Sequence, residues 1–129
     1  MNRKIIFDFG FLELHEYLAI GTINEGEDLT FDQNKLLFDA CIQHYDTKNF
    51  GYISNRLHSY SVNPMGYINA SQISQLQAIA VVITHPAQRL SAEVEKIFFN
   101  KPFEYFEHLD EAKAWIRKIV ILANQKGIV

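Results

Sequence analysis

The stretch Ala78-Ile79-Ala80-Val81-Val82-Ile83 decides the fold, because all six of its residues are apolar and most of them are β-branched. An uninterrupted apolar run of this length is typical of a strand that helices cover on both faces. Pro86 follows the run and predicts the first turn of a helix, where its missing backbone donor does no harm. We therefore expect the stretch at the centre of an α/β sheet.

The helix after Pro86 is predicted to be amphipathic. Its apolar residues share one face, which we expect to pack inward: Leu90, Val94, Ile97 and Phe98. The charged residues Glu93, Glu95 and Lys96 are predicted to point elsewhere. A strand over Phe103–Phe106 and a final helix should follow. The buried stripe of that final helix is predicted to contain Ala112, Trp115, Ile116, Ile119, Val120 and Ala123.

The chain before the central run predicts two strands and a helix. The segments Lys4–Leu14 and Tyr17–Ile23 are rich in aromatic and branched residues, and we expect them to form a hairpin. Thr30 and Gln33 have the spacing of a capping box, in which each side chain satisfies a free backbone donor at the start of a helix. This pattern predicts a helix over Phe31–Tyr45.

A strand over Asn49–Ser54 and a short helix beginning near Asn63-Pro64 complete the order of elements. We expect Met65 and Ile68 to face inward from that helix. Strands and helices that alternate along a chain form sheets with right-handed crossovers. The sequence therefore predicts an α/β fold with a mixed β-sheet of five to six strands and about four helices.

Length and composition exclude several classes of protein. A chain of 129 residues fits one domain, which we take to span residues 1–129. A net charge of -3 offers no attraction to phosphate backbones, so nucleic acid is not an expected partner. The apolar start of the chain is too short for a signal peptide or membrane span, so we expect a cytoplasmic location. The single cysteine, Cys41, is predicted to be a core residue.

The most informative polar stretch is the junction Tyr52–Pro64, in which a strand runs into residues that no core requires. Ligands and partners dock at the carboxyl ends of strands in α/β sheets. The candidate binding residues of the junction are Asn55, Arg56, His58 and Tyr60. An arginine fork can clamp a carboxylate or phosphate, and a tyrosine offers a flat contact surface. The alternative is structural: Arg56 pairs with Asp28 or with a helix carboxylate.

The sequence contains no established catalytic or metal-binding pattern. The five histidines lie on separate predicted elements, without the close spacing of zinc ligands. Ser59 and His58 are neighbours in sequence, but no GxSxG turn or glycine-rich phosphate loop is present. We therefore predict no catalytic residues, no bound metal and no cofactor. A hydrolase that uses Ser59 or His58 remains a hypothesis that geometry must decide.

Several stretches give the chain a resemblance to the SpoIIAA-like, or STAS/SEC14, group of small bacterial domains. They are FGYISNR (Phe50–Arg56), QAIAVVI (Gln77–Ile83) and the ending KPFEYFEHLDEAKAWI (Lys101–Ile116). The resemblance implies a STAS-type sheet and a role as an interaction module. Related antagonists of anti-sigma factors carry a regulatory serine in an Asp-Ser-Ser-Gly setting. This chain lacks that tetrapeptide, and the serines available for phosphorylation are Ser54, Ser59 and Ser61.

Two further hypotheses about function follow from different observations. The leading one is a non-catalytic regulatory or protein-binding module that presents the junction to another protein or to a second copy as a homodimer. The alternative is a small-molecule or lipid-binding domain of SEC14-like character, suggested by the ten Phe and six Tyr residues. Contact with a membrane or lipid has no other support in the sequence. An apolar pocket of ~300 Å³ or more would favour the alternative.

Overall fold

A mixed six-stranded sheet forms the centre of the protein in the computed structural model, which describes residues 2–126. The strands stand in the order β1 (Arg3–Phe7), β2 (Gly10–Leu14), β3 (Leu18–Ile23), β5 (Phe50–Arg56), β7 (Leu76–Ile83) and β8 (Phe103–Phe106). β1, β2 and β3 pair antiparallel, and the remaining neighbours pair parallel. A separate parallel pair joins β4 (Asp28–Leu29) to β6 (Ser61–Val62).

Four helices pack against the sheet within the described residues. They are α1 (Phe31–Tyr45), α2 (Gly66–Ala70), α3 (Pro86–Lys96) and α4 (Leu109–Lys126). The first three share one core with one face of the sheet, whereas α4 covers the other face. The predicted bounds of α1 are confirmed, and Thr30 and Gln33 form the predicted capping box. No helix of residues 2–126 has the combined length and hydrophobicity that a membrane crossing requires.

The opening of the chain forms three strands, so the prediction of a two-stranded hairpin is wrong there. The segment Lys4–Leu14 folds back on itself through a turn at Asp8 and Phe9. Only glycine fits at position 10, directly after the turn, because a Cβ atom there would lie 2.2 Å from the carbonyl oxygen of Thr22. The turn reverses the phase of the side-chain alternation, because Phe7 pairs with Gly10. The segment has apolar residues at both odd and even positions, so the pattern did not reveal this reversal.

The central run is buried on both faces, as its apolar pattern predicts. Alternate residues of β7 enter the two cores, with Ile79 and Val81 on one side and Ala78 and Ala80 on the other. The strand lies inside the sheet between β5 and β8, one position from the edge. α4 packs so closely on the adjacent strand β5 that a Cβ atom at Gly51 would lie 2.4 Å from the side chain of Ile116.

The predicted inward faces of α2 and α3 are wrong. Met65 and Ile68 are 49% and 42% exposed, and α2 instead buries Tyr67 and Ala70. The ring of Tyr67 packs edge-on against Phe103, and this contact sets the rotation of the helix.

Most of the predicted apolar face of α3 points to solvent, although Phe98, just after the helix, packs against the core. Leu90, Val94 and Ile97 are 71%, 48% and 80% exposed, whereas Ala92 and Glu95 are buried. The rotation of α3 has a physical reason, because Glu95 meets a buried arginine beneath the helix. Ala92, which is the other buried residue of the helix, is small enough for the backbone to approach the sheet.

Candidate functional site

The candidate site lies at the carboxyl ends of β5 and β7, where the junction Tyr52–Pro64 leaves the sheet. β5 was expected to end at Ser54, but it continues because Asn55 and Arg56 pair with Val82 and Ile83. Arg56 is therefore the last residue of a buried strand. Its side chain is only 4% exposed and extends beneath α3.

Arg56 and Glu95 form a buried, two-pronged ion pair. The Nη1 group of Arg56 donates to Oε2 of Glu95 at 2.6 Å, and its Nη2 group donates to Oε1. Each carboxylate oxygen also accepts a hydroxyl: Tyr67 donates to Oε1 at 2.5 Å, and Ser91 donates to Oε2 at 2.8 Å. This arrangement satisfies the carboxylate from four directions, which a buried charge requires.

The remaining face of Arg56 contacts the junction. Its Nε group donates to Oγ of Ser54 at 3.1 Å, and the Ser54 and Tyr60 hydroxyls share a hydrogen bond of 2.9 Å. The guanidinium carbon lies 5.6 Å from the centroid of the Tyr60 ring, within the range of a cation–π contact. Arg56 thus links β5, the junction and α3 through one side chain.

The charges of this network stabilise each other against the effect of burial. Burial alone disfavours the ionised carboxylate of Glu95, but the hydrogen bonds and charge of Arg56 outweigh it, so the Glu95 pKa lies below its ordinary value. Burial and the nearby Glu95 carboxylate raise the pKa of the Tyr67 phenol well above its ordinary value. The hydroxyl of Tyr67 therefore stays protonated and remains a donor.

The tip of the junction, defined here as Leu57, His58 and Ser59, is exposed. Its backbone is held on two sides. The Ser59 amide donates to the Glu25 carboxylate at 2.6 Å, and the Gln88 side chain of α3 donates to the His58 carbonyl at 3.4 Å. A cleft of about 200 Å³ lies between the tip and α3, with Arg56 among its lining residues.

The candidate residues of the junction are divided between the interior and the surface. Arg56 and Ser54 are buried, Asn55 and Tyr60 are half-buried, and His58 is exposed. The contacts of Arg56 therefore match the structural alternative, because Arg56 pairs with a helix carboxylate.

The two other serines named as phosphorylation candidates are exposed. Ser61 donates its hydroxyl to Asp28 at 2.7 Å. Within the described residues, no hydrogen bond joins the side chains of His58 and Ser59.

Sequence reasoning missed Glu95, Tyr67 and Ser91. Ser91 and Glu95 are one helical turn apart, with the small residue Ala92 beside them. Together they form a small and polar face of α3, opposite its apolar face. That face could have indicated an approach to a buried cation. Tyr67 gave no comparable signal, because its ring is apolar and the hydroxyl contact depends on the packing of α2.

A second cleft, of about 620 Å³, lies at the amino ends of β3 and β5. His15, His44 and Lys48 contribute to its polar lining. Tyr17 and Asp46, at its margin, have backbone φ angles of 73° and 57°, in the left-handed region that non-glycine residues rarely adopt. Burial, Arg3 and Lys48 together lower the pKa of His44.

Two other predictions concern apolar space and reactive groups. The apolar cavity between α1 and α2 measures about 150 Å³, half of what the small-molecule hypothesis requires. Cys41 is fully buried, and burial raises the pKa of its thiol. Among residues 2–126, no three His, Cys, Asp or Glu side chains are placed to hold a metal ion together.

The order of strands and the placement of the helices define a SpoIIAA-like fold, as the resemblance implies. The chain is similar to a crystal structure of an uncharacterized protein of the DUF3478 family, with a SpoIIAA-like fold, from Shewanella loihica. The two share 11% identity with a TM-score of 0.52, over 90% of this chain and 92% of the other. No protein-family model and no curated protein matches the sequence.

Proposed function

We propose that this chain is a non-catalytic protein-interaction module of STAS type, acts in the cytoplasm, and binds its partner through the tip of the junction. One observation carries the proposal: an exposed loop tip that begins with a leucine is held in place by a buried ion pair beneath it. Leu57 is 52% exposed, although no core contact requires a large apolar side chain there.

A loop that is already fixed loses little conformational freedom when it binds. The tip is anchored through Arg56 below, through Glu25 on one side and through Gln88 on the other. The cleft beside it can receive one side chain of a partner, and Tyr60 at its wall offers the flat surface that is common at the centre of interfaces.

We propose no catalytic role because the reactive groups beneath the junction are engaged in hydrogen bonds with one another. Nucleophilic catalysis needs a nucleophile beside a base that can accept its proton. The hydroxyl of Ser54 instead accepts a hydrogen bond from Arg56, which has no proton-accepting capacity. The Glu95 carboxylate is fully occupied by donors and has no free lone pair directed at a substrate.

The proposal is tested by site-specific crosslinking. A photoreactive residue placed at His58 should capture one discrete protein in the native cell, and the Leu57→Asp change should abolish that capture. Leu122→Asp on α4 is the matched control, because Leu122 is 47% exposed on the opposite side of the sheet. Capture that survives Leu57→Asp, in protein with an unchanged melting temperature, contradicts the proposed surface.

A second candidate function is the binding of a polar small molecule in the amino-end cleft. The observation that favours it is the pair of left-handed residues, Tyr17 and Asp46, because backbone strain is often retained at ligand sites. NMR shifts of the His44 imidazole during titration with pooled polar metabolites would test it. Unchanged shifts across all pools would remove this candidate.

A further inference from the structure

The outer side of α3, together with its C-cap residue Ile97, carries an apolar stripe formed by Leu90, Val94 and Ile97. These three side chains are 71%, 48% and 80% exposed and lie one turn apart along one line of the helix. Scattered single leucines on a surface need no explanation, but an aligned stripe on an amphipathic helix indicates a contact surface. No element within residues 2–126 covers it.

The charges beside the stripe are self-complementary. Glu93 and Lys96 lie on one flank of the stripe, and both are exposed. Lys96 contacts Glu104 within the chain at 3.1 Å, but its side chain remains 55% exposed and can reach a second carboxylate. The same flank carries Arg89, whose guanidinium donates to the Tyr105 hydroxyl at 2.8 Å. The carboxylate of Glu93 and the ammonium of Lys96, three residues apart, can pair with the same two groups of a second copy.

The spacing of these residues fits an antiparallel pair of identical helices. If a twofold axis passes close to Val94, Leu90 lies opposite Ile97 of a second copy, and the two Val94 side chains meet at the centre. Glu93 then lies opposite Lys96 of the second copy, so the same axis creates three apolar pairs and two ion pairs. In a parallel arrangement, this flank would face the opposite flank of the second copy, where Ala87 and Ser91 carry no charge, so the ion pairs would not form.

We propose that the α3 stripe is a self-association surface and that its occupant is α3 of a second copy of this chain, in antiparallel orientation. The proposal does not depend on the function assigned to the junction, because the tip lies outside the stripe. A dimer formed in this way would carry two tips. The contact is small, so association should be weak and concentration-dependent.

Sedimentation equilibrium of the full chain tests the proposal. The average mass should rise from one chain toward two as the concentration increases, over a range of about 10 µM to 1 mM that suits a small interface. Val94→Asp should weaken the association by at least about tenfold, because it places two carboxylates on the twofold axis. The matched control Leu122→Asp should associate as the unchanged chain does.

A charge-exchange experiment tests the orientation. Glu93→Lys alone and Lys96→Glu alone should each remain monomeric, because each puts like charges opposite each other. An equal mixture of the two variants should form a heterodimer, since each lysine then meets a glutamate. Melting temperatures close to that of the unchanged chain would confirm that both variants are folded.

Three results would overturn the proposal: a monomer at every concentration, equal loss of association with Leu122→Asp, or no heterodimer from the mixture. A monomer that binds anionic vesicles through Val94 would likewise overturn it and assign the stripe to a membrane surface. The Leu57→Asp change should leave dimerisation unaffected. Partner capture and dimerisation can therefore fail independently, and each failure contradicts only its own proposal.

Discussion

The helices α3 and α4 lie on opposite faces of the sheet and show opposite relations between pattern and burial. α4 buries its apolar residues Ala112, Ile116 and Val120 and exposes its charges. α3 has an equally regular apolar stripe, but it exposes that stripe and buries Glu95. An amphipathic pattern therefore identifies residues that share a face, and the sheet beneath decides which face is covered.

The difference arises from what each helix meets. Beneath α4 the sheet presents Ile53, Ala78 and Ala80, and an apolar stripe fits there. Beneath α3 the sheet presents Arg56, whose charge cannot remain buried without a partner. An unpaired buried charge costs about 3 to 5 kcal/mol. α3 therefore turns Glu95 toward the guanidinium and leaves its apolar stripe on the outer side.

The largest expected effect is the loss of one member of the ion pair. Glu95→Ala should lower the free energy of unfolding by about 3 to 5 kcal/mol, because Arg56 would remain buried without a counter-charge. Glu93→Ala, an exposed site on the same helix, should change it by less than about 0.5 kcal/mol. Chemical denaturation of both variants measures the difference, and equal small effects would show that α3 does not depend on the pair.

Replacing both charges at once sharpens the comparison. The double variant Arg56→Met with Glu95→Leu turns the contact beneath α3 into an apolar one, like that beneath α4. Its free energy of unfolding should exceed that of either single variant, because no unpaired charge remains. Strict additivity of the two single changes would contradict a direct interaction between these side chains.

The next effect concerns the buried stripe of α4. Ile116→Ala should lower the free energy of unfolding by about 2 to 5 kcal/mol, because Ile116 is fully buried and packs over Gly51. The change Leu90→Ala on α3 removes a side chain that is mostly exposed and should cost less than about 0.5 kcal/mol. Similar losses at the two sites would mean that α3 buries its stripe after all.

A smaller effect is expected from one hydroxyl. Tyr67→Phe should cost about 1.5 to 3 kcal/mol, because it removes a hydrogen bond to the buried Glu95 carboxylate. Tyr105→Phe removes an exposed hydrogen bond with Arg89 and should cost less than about 0.5 kcal/mol. Chemical denaturation measures both losses in free energy of unfolding. Losses of similar size would show that Glu95 is solvated.

The last expected difference between the two helices is how their stability changes as the pH falls. The pKa of Glu95 lies below its ordinary value of 4.5, so its stabilising effect is complete above about pH 4.5 and is lost as the pH falls through the lowered pKa. Hydrogen exchange should therefore show α3 opening before α4 on acidification. In Glu95→Gln this extra acid sensitivity should be absent, and its persistence would assign it to another group.

Elements fixed by local chemistry could be predicted from the sequence, whereas contacts between distant residues could not. The bounds of α1 follow from a capping box between neighbours, and the burial of β7 follows from its composition. The orientation of α3 depends on a pair separated by 39 positions, and no local pattern contains that information. The sequence indicated a polar junction after β5, but its buried part and its exposed tip became distinguishable only with the partner of Arg56.

The reactivity of single cysteines on α3 tests the orientation of the helix most directly. The native Cys41 is buried, so it gives little background with a thiol reagent. At protein concentrations low enough to exclude association, Val94→Cys should react nearly as fast as Leu122→Cys, whereas Ala92→Cys should react at least about tenfold more slowly. A protected cysteine at position 94 together with a reactive one at position 92 would contradict the account.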